Sequence, residues 1–252
     1  MAIIIALSNH KGGVGKTTSA ANIGAGLNTL GKRVLFVDID PQANLTESLG
    51  ITEPENTVYD MLHGKRVSPI NLRRGLDLIP STLDLSGAEM ELQAKPRREY
   101  VLRESLTPFR DQYDFIFIDA PPSLGLLTIN TLTAADRVFI PIQAQYFALK
   151  GIRKITEVIN QIKAELNQGL QIGGIIVTQY DGRLILGRNV LDAVEADYKR
   201  ETFKTVIRQN VALAEAPATG QDIFSYSPKS NGAEDYLSLC KEILQRVKKK
   251  TL

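Results

Sequence analysis

Residues 3–30 open with Ile3-Ile-Ile-Ala-Leu-Ser8, pass through Asn9-His-Lys-Gly-Gly-Val-Gly-Lys-Thr-Thr18 and continue in helical spacing to Leu30. The first run is almost continuously apolar, as expected of a strand covered on both faces in a parallel sheet. Gly12, Gly13 and Gly15 permit backbone conformations that a Cβ forbids, and Gly31 stands where a helix C-terminal glycine is expected. The stretch therefore predicts strand, tight loop and helix. In that setting the loop amides converge at the positive end of a helix dipole, a place suited to anions. The ending Gly15-Lys-Thr17 marks a phosphate-binding loop, in which Lys16 reaches the β- and γ-phosphates and Thr17 ligates Mg²⁺. Two features depart from the common pattern. His10 stands where Gly-x-x-x-x-Gly-Lys-[Ser/Thr] would begin with glycine, and a second lysine, Lys11, lies five residues before Lys16.

Working outward, strands are expected at 3–8, 33–38, 76–79, 115–119, 137–142 and 172–178. Helices are expected at 17–30, 98–106, 124–133, 149–166, 186–198 and 233–248. This alternation predicts an α/β fold with a doubly wound, mostly parallel sheet flanked by helices. Residues 51–95, punctuated by Pro54, Pro69 and Pro80, read as insertions on a single domain spanning 1–252. Ligands of such sheets bind beyond the carboxyl ends of the strands, so the informative residues should follow strands.

Two acidic clusters do. Val37-Asp-Ile-Asp-Pro-Gln-Ala-Asn44 places Asp38 at a strand end and Asp40 two residues on, pointing to the same side of an extended chain. Phe115-Ile-Phe-Ile-Asp119 ends a second apolar run in a carboxylate, the pattern of a Walker B strand that holds Mg²⁺ directly or through water. Ala120-Pro-Pro-Ser-Leu-Gly125 follows it as a candidate switch loop.

Composition excludes other classes. The net charge is +2, so any nucleic-acid surface must be a local patch. The single cysteine, Cys240, excludes a disulfide or multi-cysteine cluster within the chain, and its apolar surroundings make it a small buried hydrophobe. No targeting segment or apolar run of membrane-spanning length is seen, and a cytoplasmic location is expected.

The string Lys11-Gly-Gly-Val-Gly-Lys-Thr-Thr18 resembles the deviant Walker A loop of the ParA/MinD group of ATPases. The resemblance implies a P-loop NTPase fold, with ATP and Mg²⁺ as cofactors. Nucleotide contacts would come from Lys11, Gly12, Gly13, Val14, Gly15, Lys16, Thr17 and Thr18, and the metal would be held by Thr17, Asp38 and Asp119. Lys11 would cross a dimer interface to phosphates on the other subunit, and with Lys16 and Asp40 it makes up the catalytic set. Asp40 would orient the attacking water, and Asn210 would lie near the base. Asp38-Ile-Asp-Pro-Gln-Ala-Asn44 favours the partitioning members, as do 178–183, 210–217 and 226–234.

Partitioning function implies a homodimer with ATP that binds double-stranded DNA without sequence preference and associates with the nucleoid. Release would follow when a ParB-like partner stimulates hydrolysis, segregating chromosome or plasmid DNA. Candidate DNA contacts are Arg183, Lys199, Arg200, Lys204 and Arg208, with Arg188 nearby. They are interleaved with Asp181, Asp192, Glu195, Asp197 and Glu201. Ala212 stands where many ParA relatives carry a basic residue, so a contact could move to Arg208 or to the tail Arg246-Val-Lys-Lys-Lys250. The alternatives are a MinD-like positioning ATPase at a membrane, or ParA-like positioning of a non-DNA cargo. The apolar face Leu237, Cys240, Ile243, Leu244 and Val247 is expected to pack on the sheet layer, so no stable membrane association is expected.

Overall fold

The computed structural model describes residues 1–145 and 148–249. Seven strands form one sheet: β1 (Ile3–Leu7), β2 (Val34–Asp38), β3 (Ile70–Arg73), β4 (Leu76–Ile79), β5 (Phe115–Asp119), β6 (Arg137–Gln143) and β7 (Gln171–Thr178). Their order across the sheet is β3-β4-β2-β5-β1-β6-β7. The five neighbouring pairs that exclude β3 are parallel, while β3 pairs antiparallel with β4 at the edge. The six strands expected from sequence are all present; β3 was not, because four residues between Pro69 and Gly75 carry too little periodicity to declare a strand.

The helices are α1 (Lys16–Thr29), α2 (Asn44–Ser48), α3 (Val58–Leu62), α4 (Leu85–Gln93), α5 (Val101–Leu106), α6 (Leu126–Ala134), α7 (Ala148–Glu165), α8 (Ile185–Tyr198), α9 (Val211–Glu215), α10 (Ile223–Tyr226) and α11 (Asn231–Lys248). Alternation along each strand feeds two separate cores. Ile5, Leu7, Phe36, Phe117 and Phe139 face α1 and α11, where Ile23, Leu27, Tyr236, Leu239 and Ile243 meet them. Ile4, Ala6, Leu35, Val37, Ile116 and Ile118 face the other layer, with Leu127, Ile152, Ile155 and Val194. Both faces of the sheet are thus covered, which is why the strands read as unbroken apolar runs.

Four of the five residues of the expected α11 face join this packing, with Leu239 there in place of Leu237, which is only partly buried and outside this core. Leu239, Cys240 and Ile243 are fully buried, and Leu244 and Val247 pack against the same core. Cys240 Sγ donates to the Ile23 carbonyl at 3.3 Å, and burial pushes its thiol far above the usual range. Lys250, the last lysine of the basic tail, lies outside the described residues. Among the described residues no helix is long and apolar enough to cross a membrane.

The register brings the motifs together. Leu7 and Asp38 both pair with Asp119 across adjacent strands, so the glycine loop and the two acidic loops leave the sheet side by side at its carboxyl edge.

Candidate nucleotide site

Two of the loop's glycines use the freedom expected of them. Gly13 and Gly15 adopt left-handed φ of 73° and 81°, and Gly15 immediately precedes the first turn of α1. The loop is held from behind by the end of β7. Thr178 Oγ1 lies 2.9 Å from the Val14 carbonyl and 3.0 Å from that of Ile142. Gln179 Nε2 donates to the Gly13 carbonyl at 2.9 Å, and its Oε1 accepts from Gln143 Nε2 at 2.6 Å. Gln179 does this from a left-handed φ of 50°, uncommon for a residue with a side chain. The imidazole of His10 is held below its usual range, first by burial and then by Lys154 and Lys16, and its ring sits against Gly151 on α7.

Inside the loop, Lys16 is buried. Burial lowers its affinity for the proton, and the carboxylates of Asp119 and Asp40 oppose that. Thr17 Oγ1 donates to Asp119 Oδ2 at 2.6 Å. Asp119 is buried, and burial, followed by the neighbouring Asp38, drives its carboxyl well above the usual carboxylate range. Its other oxygen, Oδ1, is buried with no hydrogen-bond partner among the described residues. A buried acceptor left unpaired is costly, and a hard cation shared between Thr17 Oγ1 and Asp119 would remove that cost. The residues present therefore fit Mg²⁺.

Asp38 belongs elsewhere. Oδ1 accepts the Asp40 N–H at 3.1 Å, and Oδ2 accepts both the N–H and the hydroxyl of Thr46, at 2.9 and 2.7 Å. Both oxygens are taken by protein donors, so the structure moves Asp38 from the expected metal set to an anchor of the following loop. Burial raises this carboxyl too.

Lys16, Thr17, Thr18, Asp40, Gln42 and Pro217 line a cavity of about 440 Å³ over the loop. A second cavity of about 370 Å³ adjoins it through Gly15, Thr18 and Gln179 and extends to Asn210. Asn210 Oδ1 is buried there without a partner among the described residues. Lys11 is not among the residues lining this space; its Nζ donates to Gln145 Oε1 at 3.0 Å.

The basic candidates do not form one group. Arg183 is exposed but paired with Asp181 through Nε at 2.9 Å and Nη2 at 2.7 Å. Lys199 and Arg200 are exposed beyond the far end of α8, a helix about 21 Å long, so they are well separated from Arg183. The chain then returns beside β7 through Thr202 and reaches Arg208 opposite Tyr180, with Lys204 exposed between. Arg208 is committed to Asp235 and Glu234 at 2.6 and 2.7 Å. Arg246 is likewise structural: it donates to the Thr202 carbonyl at 2.6 Å and stacks over Phe203. Sequence reading missed Thr46, Ser81, Thr178 and Gln179, which act only through contacts distant in the chain.

A glycine loop at a helix N-terminus, a buried lysine and a Thr–Asp pair at the carboxyl edge of a parallel sheet define a P-loop nucleotide-binding protein. Residues 2–172 match the family model described as an AAA domain. The sporulation initiation inhibitor protein Soj of Bacillus subtilis is 46% identical over 96% of this chain and 98% of its own. The chromosome partitioning protein ParA of Myxococcus xanthus is 43% identical over 96% and 88%. The chain belongs to the ParA/Soj family of partitioning ATPases. Among solved structures, the Mycobacterium smegmatis protein described as cobyrinic acid a,c-diamide synthase, with bound ADP and magnesium, is 34% identical. It superposes with a TM-score of 0.86 over 98% of this chain and 96% of the other.

Proposed function

We propose that this chain is an ATP-driven DNA-partitioning switch: it binds ATP and Mg²⁺, pairs with a second copy, holds DNA in that state and releases it on hydrolysis. The observation that carries this reading is the division of labour between the two loop lysines. Lys16 is buried and lines the phosphate cavity, whereas Lys11 of the same loop does not line it and bonds Gln145 instead. A cation in the phosphate loop that does not line its cavity suits a triphosphate held by a facing subunit, which couples nucleotide to dimerisation.

On this reading Gly12–Thr18 cradle the phosphates, and Lys16 offsets their charge. Thr17 and Asp119 hold Mg²⁺, which when bound neutralises charge developing on the phosphoryl oxygens. Asp40 orients the attacking water, and Asn210 meets the base. With no strong general base, hydrolysis proceeds by positioning and is slow, leaving room for a ParB-like partner to accelerate it. The dimer presents Arg183, with Lys199, Arg200 and Lys204, to phosphates of nonspecific double-stranded DNA, and the protein localises to the nucleoid. The burial of the α11 apolar face weighs against insertion of that helix into a membrane. Arg208, already neutralised by two carboxylates, contributes least.

The test is binding to arbitrary duplex DNA with ATP, ADP or no nucleotide, using Asp40→Ala to hold the ATP state, with a salt titration and parallel liposomes. Salt-sensitive binding with ATP alone supports the switch. An ATP dimer that ignores DNA discards it, and liposome binding would then move the protein to the membrane-positioning class. Unchanged ATP-dependent dimerisation of Lys11→Ala in ultracentrifugation would sink the role given to Lys11.

A further inference from the structure

The loop that carries Asp40 is fastened by a closed ring of buried hydrogen bonds. Asp38 Oδ1 accepts the Asp40 N–H at 3.1 Å, and Asp38 Oδ2 accepts the Thr46 hydroxyl at 2.7 Å. Thr46 Oγ1 in turn accepts the Ser81 N–H at 2.9 Å, and Ser81 Oγ donates to the Asp40 carbonyl at 2.8 Å. The ring thus leaves Asp40 through its N–H and returns to it through its C=O. Asp38, Thr46 and Ser81 are each 1% exposed or less, and Asp40 is 6% exposed, so water does not compete for these bonds. Within the grip, Asp40 Oδ1 accepts the Gln42 N–H at 3.0 Å, orienting the carboxyl as well as the backbone. Ala43 is held in a left-handed φ of 52° at the foot of the same turn. A non-glycine residue keeps such a conformation where its surroundings over-determine it.

The ring draws on three separate segments: the end of β2, α2, and Ser81, two residues beyond β4. β4 pairs with β2 in parallel register through Val37 and Ile79, and this pairing delivers Ser81 to Asp40.

We infer that Ser81, through Thr46 and Asp38, is a positioning residue that fixes Asp40 over the phosphate cavity; this rests on the reading of Asp40 as the group that orients water. Ser81 does not itself line the phosphate cavity and reaches it only through Asp40, so its removal should spare nucleotide binding while blurring the placement of the attacking water. Displacement of a reacting group by a fraction of an ångström is costly in rate. Loss of one buried hydrogen bond from its support corresponds to roughly a fivefold to tenfold fall in kcat.

The experiment compares wild type, Ser81→Ala, Ser81→Cys, Asp40→Ala and the double variant Asp40→Ala/Ser81→Ala. Single-turnover ATP hydrolysis, nucleotide Kd, melting temperature and amide exchange at 40–46 are measured for each. Ser81→Ala should hydrolyse about fivefold to tenfold more slowly, with Kd unchanged and faster exchange confined to 40–46. Ser81→Cys should recover part of the rate. The double variant should be no slower than Asp40→Ala, because Ser81 acts through Asp40. A wild-type rate in Ser81→Ala overturns the inference, as does a loss of rate accompanied by equal losses of affinity and melting temperature. So does an additive double variant. If Asp40→Ala itself hydrolyses ATP normally, the reading of Asp40 falls; unchanged exchange in Ser81→Ala would separately overturn the ring as its support.

Discussion

Replacing Asp119 by asparagine should make the nucleotide-free protein more stable and the nucleotide-bound protein less so. Asp119 is fully enclosed, Oδ2 takes the Thr17 hydroxyl, and Oδ1 has no partner among the described residues. A buried unpaired acceptor costs about 1–3 kcal/mol, more when charged. The neutral amide is nearly isosteric and removes the charge, so a gain of about 2 kcal/mol is expected, or about 4–8 °C in Tm for a chain of this size. The sign with pH follows from the raised carboxyl. As pH rises past the ordinary value of 3.8, the unfolded chain ionises before the native one, and wild-type stability falls until the raised native value is passed. The advantage of Asp119→Asn should therefore be near zero at about pH 4 and grow toward about pH 8.

Mg²⁺ and ATP should reverse the order. A ligand at a hundred times its Kd stabilises by about 2.7 kcal/mol. Wild type should show that gain, and the variant, without its cation partner, should keep less than about 0.7 kcal/mol of it, which is what reversal requires. Thermal unfolding followed by circular dichroism, with and without Mg²⁺–ATP at both pH values, reads all four quantities. A variant that melts lower than wild type without nucleotide at about pH 8 would refute the strain assigned to Asp119. A variant that keeps the full Mg²⁺–ATP shift would refute its place at the cation.

Four further outcomes are expected. An added Cβ at Gly26 would lie 2.7 Å from Cys240 Sγ and 3.0 Å from Phe224; Gly26→Ala gains about 1 kcal/mol of helix propensity but overpacks by about 1–3 kcal/mol. Calorimetry should therefore find it destabilised, and a raised Tm would disprove the close approach of α1 and α11. Gln179→Gly releases a left-handed side chain but also the Gly13 carbonyl, so fluorescent-nucleotide titration should show weaker binding at nearly unchanged Tm. Arg208→Ala leaves Asp235 with only the backbone N–H of residue 208 and should lower Tm with little change in the salt slope of DNA binding, whereas Arg183→Ala should reduce that slope by about one. Cys240 should resist an aromatic disulfide reagent in the native protein and react only on unfolding; prompt native labelling would contradict its burial.

The fold was legible because a doubly wound sheet leaves a local signature. Strands covered on both faces are apolar throughout, and 3–8, 33–38 and 115–119 announce themselves by that alone. The glycine loop is equally local, since its chemistry needs Gly, Lys and Thr at consecutive positions on one backbone turn. Thr17 and Asp119 were separately identifiable, and their meeting followed from placing two strand ends on one edge. β3 and the helices α2 to α4 were not legible. β3, α2 and α3, of four or five residues, show barely one period, and α4, though nine residues long, lies in the proline-punctuated stretch read as insertion.

The role of Asp38 shows where such reading stops. From sequence, Asp38 and Asp119, each ending a strand beside the phosphate loop, look equivalent as metal ligands. What separates them is their partners: the Asp38 carboxylate is held by the Asp40 N–H and by Thr46, which in turn is held by Ser81 from a stretch read as insertion. Among the described residues Asp119 Oδ1 is left open whereas both oxygens of Asp38 accept from protein donors, so the two strand-end carboxylates are not equivalent. The same logic divides the arginines. Arg208 and Arg183 differ little as letters, but Arg208 lies against two carboxylates of α11 while Arg183 stands at the exposed end of β7 with one. A charge becomes available to a partner by what its neighbours leave unpaired, and that is a property of the packed layers.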